Sequence, residues 1–315
     1  MSGFMTSTTA MRVFKVSGEA GDYSENLESA AFSAQPEAVG PDGKRVGWVG
    51  LGDPLDTSFR FGPDIERFIA LSMRIDERKP SAAAVKMRLA EAIKKEKDAN
   101  DGKISRVRKK ELKEIVTAKV AAKADFVPTL VDCIWDVPGG TLMLSATADQ
   151  AVSLTLEIFE RTFGVKTEPV LPDIDMAAFF RSVYLDERPR RYQLADGVWV
   201  DVLPDNYAVT LSSPEGAEEK AIVVAKGDME TGMKALENGL LIRKMGLSLD
   251  FYHGEAGDES QPGEAVVLTL ADDFTVSGLK LPKAERGAER EADFILKAEC
   301  CVSVAEVIAK IALPE

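Results

Sequence analysis

Lys103, Arg106, Lys110 and Lys113 follow one another at spacings of three, four and three, which sets four cations along one face of a helix. The chemistry open to such a row is the capture of polyanions, above all phosphate backbones, with release of their counterions. Lys86, Arg88, Lys94 and Lys123 lie in the same stretch. Between Lys86 and Lys123 there are 13 Lys or Arg against 6 Asp or Glu, a net of +7 in a chain whose total is −13, so the remainder carries −20. A solvated helix face also looks like this, and Glu96, Glu111 and Glu114 offer local partners such as a Lys110–Glu114 pair. The segregation of charge along the chain adds weight to a nucleic-acid surface and leaves the solvated face as the alternative.

Other residues with chemical potential stand alone. His253 is the one histidine and sits among Gly, Glu and Asp, with no partner for a dyad or a metal set. Cys133 falls in an apolar run and reads as packing; adjacent Cys300 and Cys301 would form only a strained bridge. Asp173 and Asp175 read as a helix start rather than as metal ligands. Gly50-Leu51-Gly52 is too short for a phosphate loop, and no G-x-x-x-x-G-K-[ST] is present. The many carboxylates would allow a hydrolase, but none of them forms a recognisable catalytic pair. The chain is expected to be non-enzymatic, with no cofactor and no metal.

The elements that must position the cations are two helices. Ser81 can cap the first, whose Val85, Leu89 and Ile93 form an apolar stripe. A turn at Asn100-Asp101-Gly102 leads into the second, with Ile104, Val107, Leu112, Ile115 and Val116 on a looser apolar side. Around this hairpin the pattern predicts strands over 11–16, within 44–49, and over 67–75, 129–135, 141–146 and 166–171. It predicts helices over 24–32 and 149–163, the latter stopped by Gly164. Residues 1–10 read as a loose leader. Beyond 172 the expectation is a hairpin about Asp196-Gly197 and strands over 207–211, 219–225, 241–251, 265–270, 274–279 and 292–298. Helices are expected over 228–237 and 302–313. The fold class is therefore α+β, mostly antiparallel sheet with a protruding basic helical hairpin. The expected division is a central domain over 11–80 plus 127–172, the hairpin over 81–126, and a C-terminal α+β domain over 173–315.

Composition narrows the setting. With 45% hydrophobic residues the 315-residue chain has ample core. No run approaches the roughly 20 apolar residues of a membrane span. The first residues lack a secretory pattern, and three cysteines make no disulfide framework, which fits a cytoplasmic protein. A pI near 4.8 argues against polyanion binding by the whole surface. A nucleic-acid site has to be local or enclosed.

Several stretches, taken in order, resemble the bacterial recombination-associated RdgC family. They are LESAAFSAQPEA at 27–38, GWV at 47–49, RIDERKP at 74–80, RKKELKEIV at 108–116, IWDVPGGTLMLSATADQA at 134–151, FGVKTEPVLP at 163–172 and EADFILKAECCVSVAEVIAKIA at 291–312. Residues 173–225 match the family poorly.

The resemblance implies a subunit of a ring-shaped homodimer. Such a ring encloses double-stranded DNA with little sequence preference and restrains RecA-dependent recombination in the nucleoid. The recombinase itself would be at most an indirect partner, and no membrane would be involved. Basic residues would line the hole and an acidic rim would face out. The resemblance also places the hairpin at a subunit contact that closes the ring, where the family carries an aromatic after a Pro-Arg-Ala type turn. Here the turn is Ala122-Lys123-Ala124-Asp125-Phe126: Lys123 keeps the basic position, the proline is absent, and the gate aromatic would be Phe126, one place late. A Lys-Gln pair facing DNA in the family corresponds to Lys226 and Gly227, so only Lys226 is kept. The contrasting expectation is an adaptor of the same fold that binds protein through the hairpin.

Overall fold

A computed structural model describes residues 3–313 except 36–38, 41–42, 101, 187, 195–196, 218–220 and 254–264. The segment read as a loose leader is anchored. Phe4 is fully buried, and its N–H donates to Asp132 Oδ2 at 2.8 Å. It runs into β1 (Thr8–Ser17), followed by the short α1 (Ser24–Ser29), β2 (Arg45–Val49), β3 (Asp64–Ile65) and β4 (Phe68–Arg78). Then come the two helices of the basic stretch, α2 (Ala82–Ala99) and α3 (Arg106–Ala121). β5 (Phe126–Asp136) and β6 (Thr141–Leu144) form the anticipated hairpin. α4 (Asp149–Phe163) ends where Gly164 takes φ +70 and donates its N–H to the Glu160 carbonyl, the left-handed stop that glycine adopts without strain.

β7 (Lys166–Pro169) leads to α5 (Met176–Leu185), a helix that strand patterns in this region conceal. Its start is the Asp175 side chain, which accepts from the N–H groups of Ala177 and Ala178 at 2.9 and 3.1 Å. β8 (Arg190–Gln193) and β9 (Val198–Ser212) pair around the 196–197 turn, though residues 195–196 lie outside the described set. β9 is one strand instead of two. It stays continuous by a bulge: Pro204 faces Leu247 and Val209 faces Met245, so residues 205–208 stand opposite Gly246 alone. Asn206 and Tyr207 take φ 46 and 47 within it. β10 (Ile222–Ala225), α6 (Met229–Glu237), β11 (Leu241–His253), β12 (Ala265–Ala271) and β13 (Val276–Lys280) follow.

The C-terminal element corrects the expectation of a strand then a helix. α7 (Arg290–Ile311) is a single 22-residue helix. Phe294, Ala298, Cys301, Val302, Ala305 and Ile308 recur at helical spacing and are all buried, with no Gly or Pro to interrupt them. Packing on this face outweighs the strand-like apolar run at 292–298.

The described strands form one 13-stranded sheet of antiparallel pairs, in the order β10-β9-β11-β12-β13-β1-β6-β5-β4-β2 with β3, β7 and β8 off the path. β1 joins its halves. Thr8 and Thr9 pair with β13, and Arg12 to Lys15 pair with β6, with a break in register between Thr9 and Met11. One core packs α5 and α6 on the β9–β13 half and continues to α7, whose Phe294 meets Phe68 of β4 at 5.9 Å. The other sets α4 beneath Trp48 and Trp135. Phe159 and Phe163 meet Trp135 at 5.5 and 5.7 Å, and Trp48 Nε1 donates to Thr162 Oγ1 at 3.0 Å. Each of these aromatic burials contributes about 1.5–3 kcal/mol. Among the described residues no helix is long and apolar enough to cross a membrane.

Candidate nucleic-acid interface

The basic hairpin is an extension of a strand pair. Arg78, the last residue of β4, is paired with Phe126, the first of β5, so α2 and α3 leave and re-enter the sheet side by side. Ser81 and Ser105 cap the two helices, accepting from the N–H groups of Ala84 and Arg108. Each cap contributes about 1 kcal/mol. Leu112 and Val116 of α3 are buried against α2, whose Val85, Leu89 and Ile93 are half-buried. Near the turn Glu96 accepts from Arg108 Nε at 2.8 Å, and Arg108 Nη1 donates to Glu111 at 2.9 Å. The guanidinium holds the Glu96 carboxyl below its ordinary range.

Two details of the expected face change. Lys103 lies before the Ser105 cap and is not on α3, so the helical row is Arg106, Lys110 and Lys113. Val107 and Ile115 are 69% and 43% exposed, so the apolar side of α3 reduces to Leu112 and Val116. Lys86, Arg88, Lys94, Lys103, Arg106, Lys110, Lys113 and Lys123 are all exposed. None of the eight forms an ion pair within 4.0 Å among the described residues, and the anticipated Lys110–Glu114 pair is not made. Arg108, on the same helix but outside this row, is paired twice, with Glu96 and Glu111.

The eight cations do not share one surface. Arg106, Lys110 and Lys113 lie on an exposed flank of α3, beside the stripe formed by the buried Leu112 and Val116. Arg88 and Lys123 instead line a cleft of about 680 Å³ at the base of the hairpin, between the start of α2 and the end of α3. Lys79, Lys95 and Lys119 line it too. These three were not singled out in the sequence, although Arg88 and Lys95 seven apart, and Lys119 and Lys123 four apart, carry the signal.

Phe126 is half-buried beneath two guanidiniums of its own chain. Arg45 lies 4.1 Å and Arg78 4.7 Å from the ring centroid. Arg78 also donates to the carbonyl of Ala122, the residue that ends α3. Lys226 is exposed, between buried Ala225 and Gly227 at φ +71; Asp228 then caps α6 by accepting from the Thr231 N–H at 3.1 Å. Lys226 lies in the β10–α6 connection, outside the hairpin. α7 buries ten side chains and leaves Leu296 41% exposed.

The other singled-out residues have structural surroundings. Cys133 is buried, and burial pushes its thiol up. Cys301 is likewise buried, and its thiol is raised by burial; Cys133, Cys300 and Cys301 form no disulfide among the described residues. Asp132 is wholly buried and accepts from the Ser72 hydroxyl at 2.6 Å as well as from Phe4. Burial raises its carboxyl above the ordinary range despite both bonds. His253 ends β11, paired with Val198. Among the described residues no group of three or more His, Cys, Asp or Glu could hold a metal ion. No protein-family model and no curated protein matches this chain.

Proposed function

We propose that this chain is an RdgC-like, non-enzymatic protein that binds double-stranded DNA without sequence preference, works as a ring-shaped homodimer and modulates RecA-dependent recombination. One observation carries the reading: Arg106, Lys110 and Lys113 stand exposed on one helical face with no carboxylate partner among the described residues, while Arg108 on the same helix is paired twice. Unpaired cations keep their full charge for phosphates, and a row at helical spacing follows a backbone rather than reading base edges. Lys86, Lys94 and Lys103 extend the positive surface of the same arm. Enclosure within a dimer keeps the −20 remainder away from the duplex.

The test is fluorescence anisotropy with labelled duplexes of unrelated sequence over a salt series. Affinity is expected to fall with a log–log slope of about −0.9 per phosphate neutralised. Changing Arg106, Lys110 and Lys113 together to Ala is expected to weaken every duplex alike and make the slope shallower by up to about one per lost contact. An unchanged slope and affinity would make this face a solvated one. Light scattering on the same samples reads the dimer.

A further inference from the structure

We infer that the cleft at the base of the α2–α3 hairpin is a docking site for an acidic, amphipathic peptide segment of a partner protein. This stands apart from the DNA reading, because Arg106, Lys110 and Lys113 are not among the residues that line the cleft.

The cleft exists because the helices are clamped at one end and underfilled at the other. Near the turn the Glu96–Arg108 bond draws them together, and Leu112 and Val116 fill the middle. Toward the base the apolar lining is small: Ala84 and Ala92 on α2, and Val120 on α3 next to the buried Val116. The space left is about 680 Å³. That is the size of a pocket for a few side chains.

Its rim is cationic. Lys79, Arg88, Lys95, Lys119 and Lys123 surround the opening, and Glu91 is the one acid among the lining residues. None of the five cations is in an ion pair within 4.0 Å among the described residues. The floor, by contrast, is hydrocarbon. A nucleic-acid backbone brings charge but little that would bury Ala and Val methyl groups. A duplex is also too wide to descend between two packed helices, whose axes run about 8–10 Å apart. An acidic segment with apolar side chains satisfies both parts at once: its carboxylates meet the rim and its apolar side chains cover the floor. This is the helix-in-groove manner of peptide recognition, with charge setting orientation and on-rate. The chain's own body carries the opposite charge, which keeps other acidic surfaces off everything except this arm.

The experiment uses the full chain and a fluorescein-labelled twelve-residue peptide of Glu and Asp with Leu at every fourth position. Parallel probes are the same peptide with Ser for Leu, polyglutamate of equal length, and a single-stranded oligonucleotide. Saturable binding of the Leu peptide is expected, at least tenfold tighter than any of the other three. Lys95→Glu with Lys119→Glu is expected to lower that affinity tenfold or more through charge. Ala92→Trp, which fills the floor without changing charge, is expected to do the same while the affinity for duplex DNA stays within twofold. Circular dichroism confirms that each variant is folded; both alter exposed or half-buried positions. No saturable binding of the Leu peptide, equal binding of the Ser peptide or polyglutamate, a preference for the oligonucleotide, or indifference to Ala92→Trp would each overturn the proposal. Failure of the DNA reading would show instead in the salt series with Arg106, Lys110 and Lys113, and would leave the peptide result standing.

Discussion

The Arg45 guanidinium lies 4.1 Å from the centroid of the Phe126 ring, which links β2, on the sheet edge, to the first residue after the hairpin. Arg45 Nε is buried and has no hydrogen-bond partner among the described residues, so the ring face is the compensation on that side. Phe126→Ala therefore removes two cation–π contacts and leaves a buried donor facing a void. Such contacts contribute about 0.5–2 kcal/mol each, and an orphaned donor costs about 1–3 kcal/mol. A loss of about 2–4 kcal/mol in urea unfolding is expected on that basis. If Phe126 instead closes a dimer, the variant keeps most of its monomer stability, and sedimentation shows a weakened dimer.

Asp132 makes stability depend on pH. Its carboxyl is raised in the folded chain, so the folded state holds the proton to a higher pH than the unfolded state does. The stability tied to this group is thus present below the ordinary carboxylate range and is lost as pH rises through the folded-state value. Asp132→Asn fixes the neutral form and keeps an acceptor for the Phe4 N–H. The difference in urea midpoint between this variant and the wild-type chain is expected to move in favour of the variant from pH 4 to pH 8. A constant difference across that range would show that Asp132 has the same proton affinity in both states.

The unbroken α7 can be probed at its middle. Ala298→Pro removes a helical hydrogen bond and forces a clash one turn back, at a cost of about 3 kcal/mol or more. A marked fall in thermal midpoint, together with lost helical ellipticity, is the expected result. A near-neutral effect would fit a chain that leaves the helix around residue 298.

These elements also show what could be read from the sequence and why. α4 is legible to the residue because its apolar period is clean and Gly164 marks its end. The hairpin was visible from Ser81, the apolar stripe and the charge run. α7 was obscured because the order of residues 292–298 also fits alternation; only the burial of one helical face, with Phe294 against Phe61 and Phe68, decides it. α5 was obscured because its buried Phe179, Phe180, Val183 and Tyr184 sit in a region otherwise patterned as strand, although Asp175 had announced its start. The continuity of β9 depends on a bulge, and Asn206 and Tyr207 carry no glycine to signal positive φ. Of the candidate interface, sequence spacing found the row on α3. It could not find the cleft, which exists only once α2 and α3 lie side by side.

The pairing of Arg78 with Phe126 has a consequence for the body of the molecule. Because the chain departs and returns through the two ends of one rung, the last of the β4–β5 ladder, the sheet is indifferent to what is strung between them. Closing a longer excursion costs little extra, since the entropy of joining its ends grows only with the logarithm of its length. The arm is thus mechanically an accessory: its reach, charge and tip can be altered by natural variation or by grafting without renegotiating the register of a single strand.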